Sequence, residues 1–214
     1  MTSNYISWHK EELVKRVLRN LKQNFFDAIY FNSSKEVVNH VLTNIYPGIN
    51  IAFGGSMTVK EIELKNAVID AGANILDHNK PGLSEQEKIS VMRSQLTSDL
   101  FICSSNAITQ DGHLINVDGN GNRVSAMIFG PKKVIIIAGL NKIVNDDQDA
   151  FKRLELIAGP MNMKRLERNT PCGADGICHD CSSPQRGCRA YTIIKKRPSL
   201  TPMEVIIVGE TIGM

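Results

Sequence analysis

Residues 51–61 read Ile51-Ala52-Phe53-Gly54-Gly55-Ser56-Met57-Thr58-Val59-Lys60-Glu61. An apolar run stops at two glycines and gives way to polar residues at helical spacing, the pattern of a buried strand that turns into a helix. Gly54 and Gly55 suit a turn with positive φ or a closely approached backbone. Ser56 or Thr58 can cap the helix; with Thr58 as the cap, Glu61 completes a capping box. Unpaired N–H groups at such a helix start favour an anion, so a phosphate or carboxylate is one reading of Gly54, Gly55, Ser56, Thr58 and Glu61. An ordinary strand-to-helix turn is the other.

Outward from this stretch, strands and helices alternate. Residues 7–27 form a predicted helix with Ser7 as N-cap, and Trp8 and His9 in its first turn pack or face solvent. A short strand is expected at 28–31, a helix from Ser33 or Ser34 to about Tyr46, and one helix over about 59–71. A strand at 73–77, a helix from Ser84 to about Leu96 and a buried strand at 99–104 follow. Ala107 to Val117 reads as a hairpin with a type I′ turn at Asp111-Gly112. Residues 124–129 are helical, and Val134 to Ala138 is the clearest buried strand. Helices are expected over 147–157 and from Pro160 to about Arg168, then late strands at 191–194 and 204–208. This alternation predicts an α/β fold, a mostly parallel sheet flanked by helices, with the hairpin and late strands as antiparallel additions. Ligands of such sheets bind at the edge where strands end and turns begin.

The 214 residues suffice for one domain or two tightly joined subdomains. Hydrophobic residues at 42% and charged residues at 22% are globular values, and a formal charge of +3 argues little for nucleic acid. The basic tripeptide Lys195-Lys196-Arg197 reads as a surface turn. No apolar run approaches the ~18 residues of a membrane span. No basic-then-apolar leader precedes the first helix, so the expectation is a cytoplasmic protein with reduced thiols.

Two segments carry dense chemistry. Asp118-Gly119-Asn120-Gly121-Asn122-Arg123 offers a carboxylate for general-base work or cation binding, a guanidinium for a bidentate anion clamp, and amides to orient hydroxyls. A turn with an N-cap is the structural alternative. Ser105, Asn106 and Thr109 precede the hairpin and can line the same pocket. Cys172, Cys178, Cys181 and Cys188 follow the spacing Cys-x5-Cys-x2-Cys-x6-Cys, while Cys103 stands apart as a core thiol. Four thiolates can hold zinc or an iron–sulfur cluster, which the spacing does not separate. His179 can substitute as a ligand or support one, and Arg186 and Arg189 can hold an anion nearby. A redox pair at Cys178 and Cys181, a disulfide or an empty thiol loop are the alternatives. No G-x-G-x-x-G fingerprint argues for NAD.

Phe53 to Leu64, Ser105 to Val124, Phe129 to Ile143, Thr170 to Cys188 and Glu204 to Gly213 together resemble the lactate-utilisation (LUD) domain family over most of the chain. The resemblance implies one LUD domain over 1–214, with the N-terminal helix and the Cys-rich loop at 169–190 added to its core. The implied fold is Rossmann-like, of the NagB/RpiA/CoA-transferase group, in which the turn after an early strand binds phosphate or CoA-type ligands. Carried over, that turn is Gly54 to Thr58, faced by the loop around Asp118. The family's link to oxidation of lactate implies a small anionic metabolite as ligand, iron–sulfur partner subunits and a role in a redox complex. A homo-oligomer is a further expectation. A sugar-phosphate isomerase with Asp118 or Glu61 as base is a rival reading, as is an acyl-CoA transferase, which would need a glutamate nucleophile that no residue clearly offers. A metal-containing regulatory or binding module is another.

Overall fold

The computed structural model of the chain describes residues 2–214, with side chains from Asn4 onward. In chain order the elements are α1 (Thr2–Gln23), β1 (Asp27–Phe31), α2 (Ser34–Leu42), β2 (Asn50–Phe53), α3 (Met57–Glu61), α4 (Leu64–Asp70), β3 (Asn74–Leu76), α5 (Glu85–Gln95) and β4 (Leu100–Cys103). Then come β5 (Ala107–Thr109), β6 (Leu114–Asp118), α6 (Asn122–Ile128), β7 (Lys133–Gly139), β8 (Ile143–Val144), α7 (Asp147–Arg153), α8 (Gly159–Arg165), α9 (Pro171–Asp175), β9 (Ala190–Ile194) and β10 (Met203–Val208).

The main sheet has six strands in the order β1-β10-β7-β4-β2-β3, every pair parallel. β7 and β10 lie near its centre and are apolar because both faces are covered. Alternate residues separate: Val134, Ile136, Ala138, Val205 and Ile207 join one core with Val17 and Leu21 of α1. Ile135, Ile137, Ile206 and Val208 join the other with Val37 and Val41 of α2 and Leu64 and Val68 of α4. A second sheet, β8-β5-β6-β9, is mixed and packs Ala107 and Ile115 on Ala150 and Leu154.

The Rossmann-like expectation therefore holds, with corrections in detail. β9 is antiparallel to β6 as an added strand, whereas β10 is an inner parallel strand between β1 and β7. The hairpin turn is not type I′, because Gly112 has positive φ (79°) while Asp111 does not. Gly112 instead lies so close to the end of α1 that a Cβ there would stand 2.7 Å from the Leu21 nitrogen. Ser7 sits inside α1, and Phe25 in left-handed conformation (φ 69°) ends the helix with Phe26 N–H donating to the Leu21 carbonyl. The helix expected over 59–71 breaks at Glu63 (φ 52°), which lets both Ile62 and Leu64 reach the core. Trp8 is exposed.

Between α7 and α8 the chain does not turn. Leu154–Ala158 is π-helical and joins the two into one run. Pro160 lacks an N–H and its ring would crowd the carbonyl four residues back, so a widened turn just before it relieves both. Among the described residues no helix is long and apolar enough to cross a membrane.

Candidate functional site

β2 is flanked by β3 on one side and β4 on the other, so the chain reverses its order of strand addition there. The carboxyl ends of strands at such a point open into a crevice. Here a cavity of about 630 Å³ lies beyond β2, β4 and β7, roofed by the β6–α6 loop, α8 and the Cys-rich loop.

Lys142 lies on its floor, in a single 3-10 turn (Leu140–Lys142) that follows β7. The side chain is buried, and Nζ donates to Thr58 Oγ1 (2.7 Å) and Ser104 Oγ (2.9 Å). Burial, then repulsion from Arg153 and Arg123, lowers its pKa to about 7, against the opposing pull of Glu61 and Cys103. Arg153, from the helical run, is held by the carbonyls of Asn141 (3.2 Å) and Asn106 (2.7 Å).

The turn after β2 departs from the simple anion cradle. Neither Gly54 nor Gly55 adopts positive φ. Gly54 is required by close approach: a Cβ would stand 2.9 Å from both Arg123 Cγ and Cys103 Cβ. Gly55 and Ser56 line the cavity. Ser56, not Thr58, is the N-cap and accepts from Val59 N–H at 3.2 Å. Thr58 is committed to Lys142. Glu61 is not part of a capping box; its carboxylate accepts from Gly213 N–H (2.6 Å) and ties the C-terminal segment over the turn. α3 is one short turn, which leaves little aligned dipole for an anion.

Arg123 is nine-tenths buried and spends its donors on the protein. Nη1 donates to the Ser104 carbonyl (3.0 Å) and Asn116 Oδ1 (2.7 Å). Nη2 donates to Asn106 Oδ1 (3.0 Å) and the Val117 carbonyl (2.8 Å). It therefore positions the loops rather than clamping a ligand. Asn106 Oδ1 also accepts from Val117 N–H (3.0 Å), so its acceptor is used as well. Asp118 Oδ1 accepts from the N–H groups of Asn120 and Gly121 (3.2 Å each). Its Oδ2 is buried without a hydrogen-bond partner, 3.6 Å from Arg123 Nε. Asn120 is exposed on the rim. Ser105 is buried below, bonded to the carbonyls of Ala107 and Ile115, and Thr109 caps the hairpin turn through His113 N–H.

The Cys-rich loop closes one wall, as Gly119 packs on Gly187 and Arg189 N–H donates to the Asp118 carbonyl (3.0 Å). Cys188 lines the cavity, and burial raises its pKa, with Cys178 and Cys172 close enough to add to the effect. Arg186 donates to the carbonyls of Cys181 and Cys188 (2.7 Å each) and pairs with Asp180, so it braces the loop. His179 pairs with Asp175 (2.7 Å). The donors suit a soft metal, yet among the described residues no three His, Cys, Asp or Glu side chains converge as a metal-binding group. Cys103 is a buried core thiol with its pKa pushed up to about 12 by burial.

In sum, Lys142, Arg123, Arg165, Arg168, Arg186 and Arg189 line the cavity against one carboxylate side chain, Asp118. A protein-family model described as the LUD domain matches residues 14–208. The chain belongs to the LUD domain family. The crystal structure of a DUF162 family protein from Deinococcus radiodurans is similar to this LUD protein at TM-score 0.52 and 11% identity, covering 93% of this chain and 98% of that one, a likeness of fold. eIF2B beta from Chaetomium thermophilum matches at TM-score 0.38 and 17% identity, over 54% of this chain and 44% of that one. Comparison with curated proteins gives no match.

Lys142, Ser104, Arg153 and Arg168 belong to no motif in the sequence. Lys142 carried one signal: it lies four residues after Ala138, the end of the clearest buried strand, at the edge where such sheets bind ligands.

Proposed function

We propose that this LUD protein binds a small anionic metabolite of the hydroxy- or oxo-carboxylate class in the switch-point cavity and serves a lactate-type oxidation system. One observation carries the reading: the exposed Arg165, Arg168 and Arg189 line a concave site beyond the parallel strands whose one carboxylate side chain, among the described residues, is Asp118. The exposed Arg168 supplies attraction and the β2 turn supplies shape, while Asp118 lines the wall. Oxidation of a hydroxy acid needs an acceptor for two electrons, which iron–sulfur partner subunits would provide. An acyl-CoA transferase reading has less support, because it needs a glutamate nucleophile and Glu61 is engaged by Gly213.

Thermal unfolding with a panel of acids tests the reading. L-lactate or pyruvate at a hundredfold excess over its dissociation constant stabilises by about 2.7 kcal/mol and raises Tm, while neutral lactamide does not. Equal shifts with lactate and lactamide, or none with any acid, would contradict it. The cysteine loop as a zinc or iron–sulfur site is a separate part of the proposal, and no step is routed through it. Iron, sulfide and zinc analysis after anaerobic purification decides it: metal lost on Cys181→Ser supports the site, and four free thiols without metal remove it.

A further inference from the structure

A lysine amine at a cavity floor has two chemical uses. It can hold an anion as an ammonium, or it can act as a nucleophile when neutral. The surroundings of Lys142 favour the second. Its Nζ donates to two hydroxyls, Thr58 Oγ1 and Ser104 Oγ, and no carboxylate is hydrogen-bonded to it. A neutral amine has two N–H bonds and one lone pair. With both N–H bonds directed at hydroxyls, the remaining tetrahedral direction is left to the lone pair.

The neighbouring charges point the same way. Arg153 from the helical run and Arg123 from α6 repel an ammonium, and only Glu61 and Cys103 favour it. Glu61 is turned to Gly213 N–H, and Cys103 is a buried thiol. Gly213 (φ 67°) leaves the room that the amine needs, since a Cβ there would approach Nζ to 3.1 Å and overlap Thr58 Oγ1. The arrangement leaves a large share of the amine neutral near pH 7, where a surface lysine is almost wholly protonated.

We propose that Lys142 captures the carbonyl group of a 2-oxo acid as an imine, with the basic cavity holding the acid's carboxylate. The proposal rests on the anionic-ligand reading above and adds the ligand's electrophile. Nζ attacks the carbonyl carbon, a C–N bond forms, and the C=O π pair moves to oxygen, which takes a proton from water. The nitrogen of the carbinolamine loses one proton. Departure of the protonated hydroxyl as water breaks the C–O bond and leaves a protonated imine. The net change is amine, carbonyl and one proton to iminium and water, with no oxidant or reductant. Hydrolysis by the reverse steps releases the acid. Lys142 is thus a catalytic residue, and Thr58 and Ser104 are positioning residues.

The test is trapping with pyruvate and sodium cyanoborohydride, read by intact mass and peptide mapping, beside calorimetry of pyruvate binding. The expected result is one reduced pyruvate unit per chain on Lys142, blocked by excess L-lactate and absent in Lys142→Arg. Trapping rises with pH up to about 7 and then levels, whereas surface lysines keep rising toward 10. Ser104→Ala, which keeps the lysine, slows trapping several-fold and moves the pH midpoint, which a purely structural hydroxyl would not do. Pyruvate that binds without labelling Lys142 would overturn the imine and leave the anionic reading standing. Pyruvate that neither binds nor labels would overturn both. Labelling that is equal in Lys142→Arg would assign it to other lysines and overturn the proposal.

Discussion

Lys142 is buried where an ammonium is poorly solvated, and this has a consequence for stability. Its folded pKa of about 7 lies below the ordinary lysine value of 10.5. Between those limits the unfolded chain binds more protons, so stability rises with pH across the window and the penalty is full below pH 7. Lys142→Met is therefore expected to raise stability by about 1–4 kcal/mol at pH 6, with the gain shrinking toward pH 10. Denaturant unfolding at the two pH values checks this; a gain that grows with pH would contradict it. Arg123 has the opposite character. Arg123→Ala takes the guanidinium away from Asp118, Asn116, Asn106 and two carbonyls, and a loss of about 3–5 kcal/mol is expected in the same assay. A change near zero would mean that water replaces the guanidinium. The sequence flagged Asp118 and Arg123 because charge in a glycine-rich loop is conspicuous. It gave no role to Lys142, because one lysine after a strand looks like any surface lysine until its hydroxyl partners, Thr58 and Ser104, are brought in from far along the chain.

At the scale of elements, the strands were legible because parallel strands buried on both faces are continuous apolar runs, and β4 and β7 are such runs. The place of β10 was not, since its own sequence is equally apolar whether it lies inside a parallel sheet or pairs with a hairpin. Only pairing with β1 and β7 decides it. The π-helical Leu154–Ala158 was likewise invisible, although Pro160 marked the spot as a helix start. That segment sets the rotation of α8, whose Met163 reaches Gly187 in the Cys-rich loop and whose Asn162 and Arg165 line the cavity. Deleting the exposed Leu156 restores α-helical register and turns α8 by roughly 100°. The expected outcome is a folded protein with lower Tm and at least tenfold weaker binding of pyruvate. Unchanged binding would show that α8 does not shape the site.

For the whole molecule, three separated parts of the chain build the cavity. The β2 turn, the β7 exit and the β6–α6 loop meet at the switch point, and the Cys-rich loop and α8 cover them. The sequence placed the first and third parts at the strand-end edge, and the structure adds the basic side chains that line the cavity between them. The most direct measurement is calorimetry of pyruvate binding at low and high salt, with the wild type, Lys142→Gln and Arg168→Gln. The account requires a single site, weakened about tenfold or more by either substitution, a loss of about 1.4 kcal/mol, and weaker at high salt. Binding of equal strength in all three proteins, or insensitive to salt, would place the anion elsewhere and contradict the central claim.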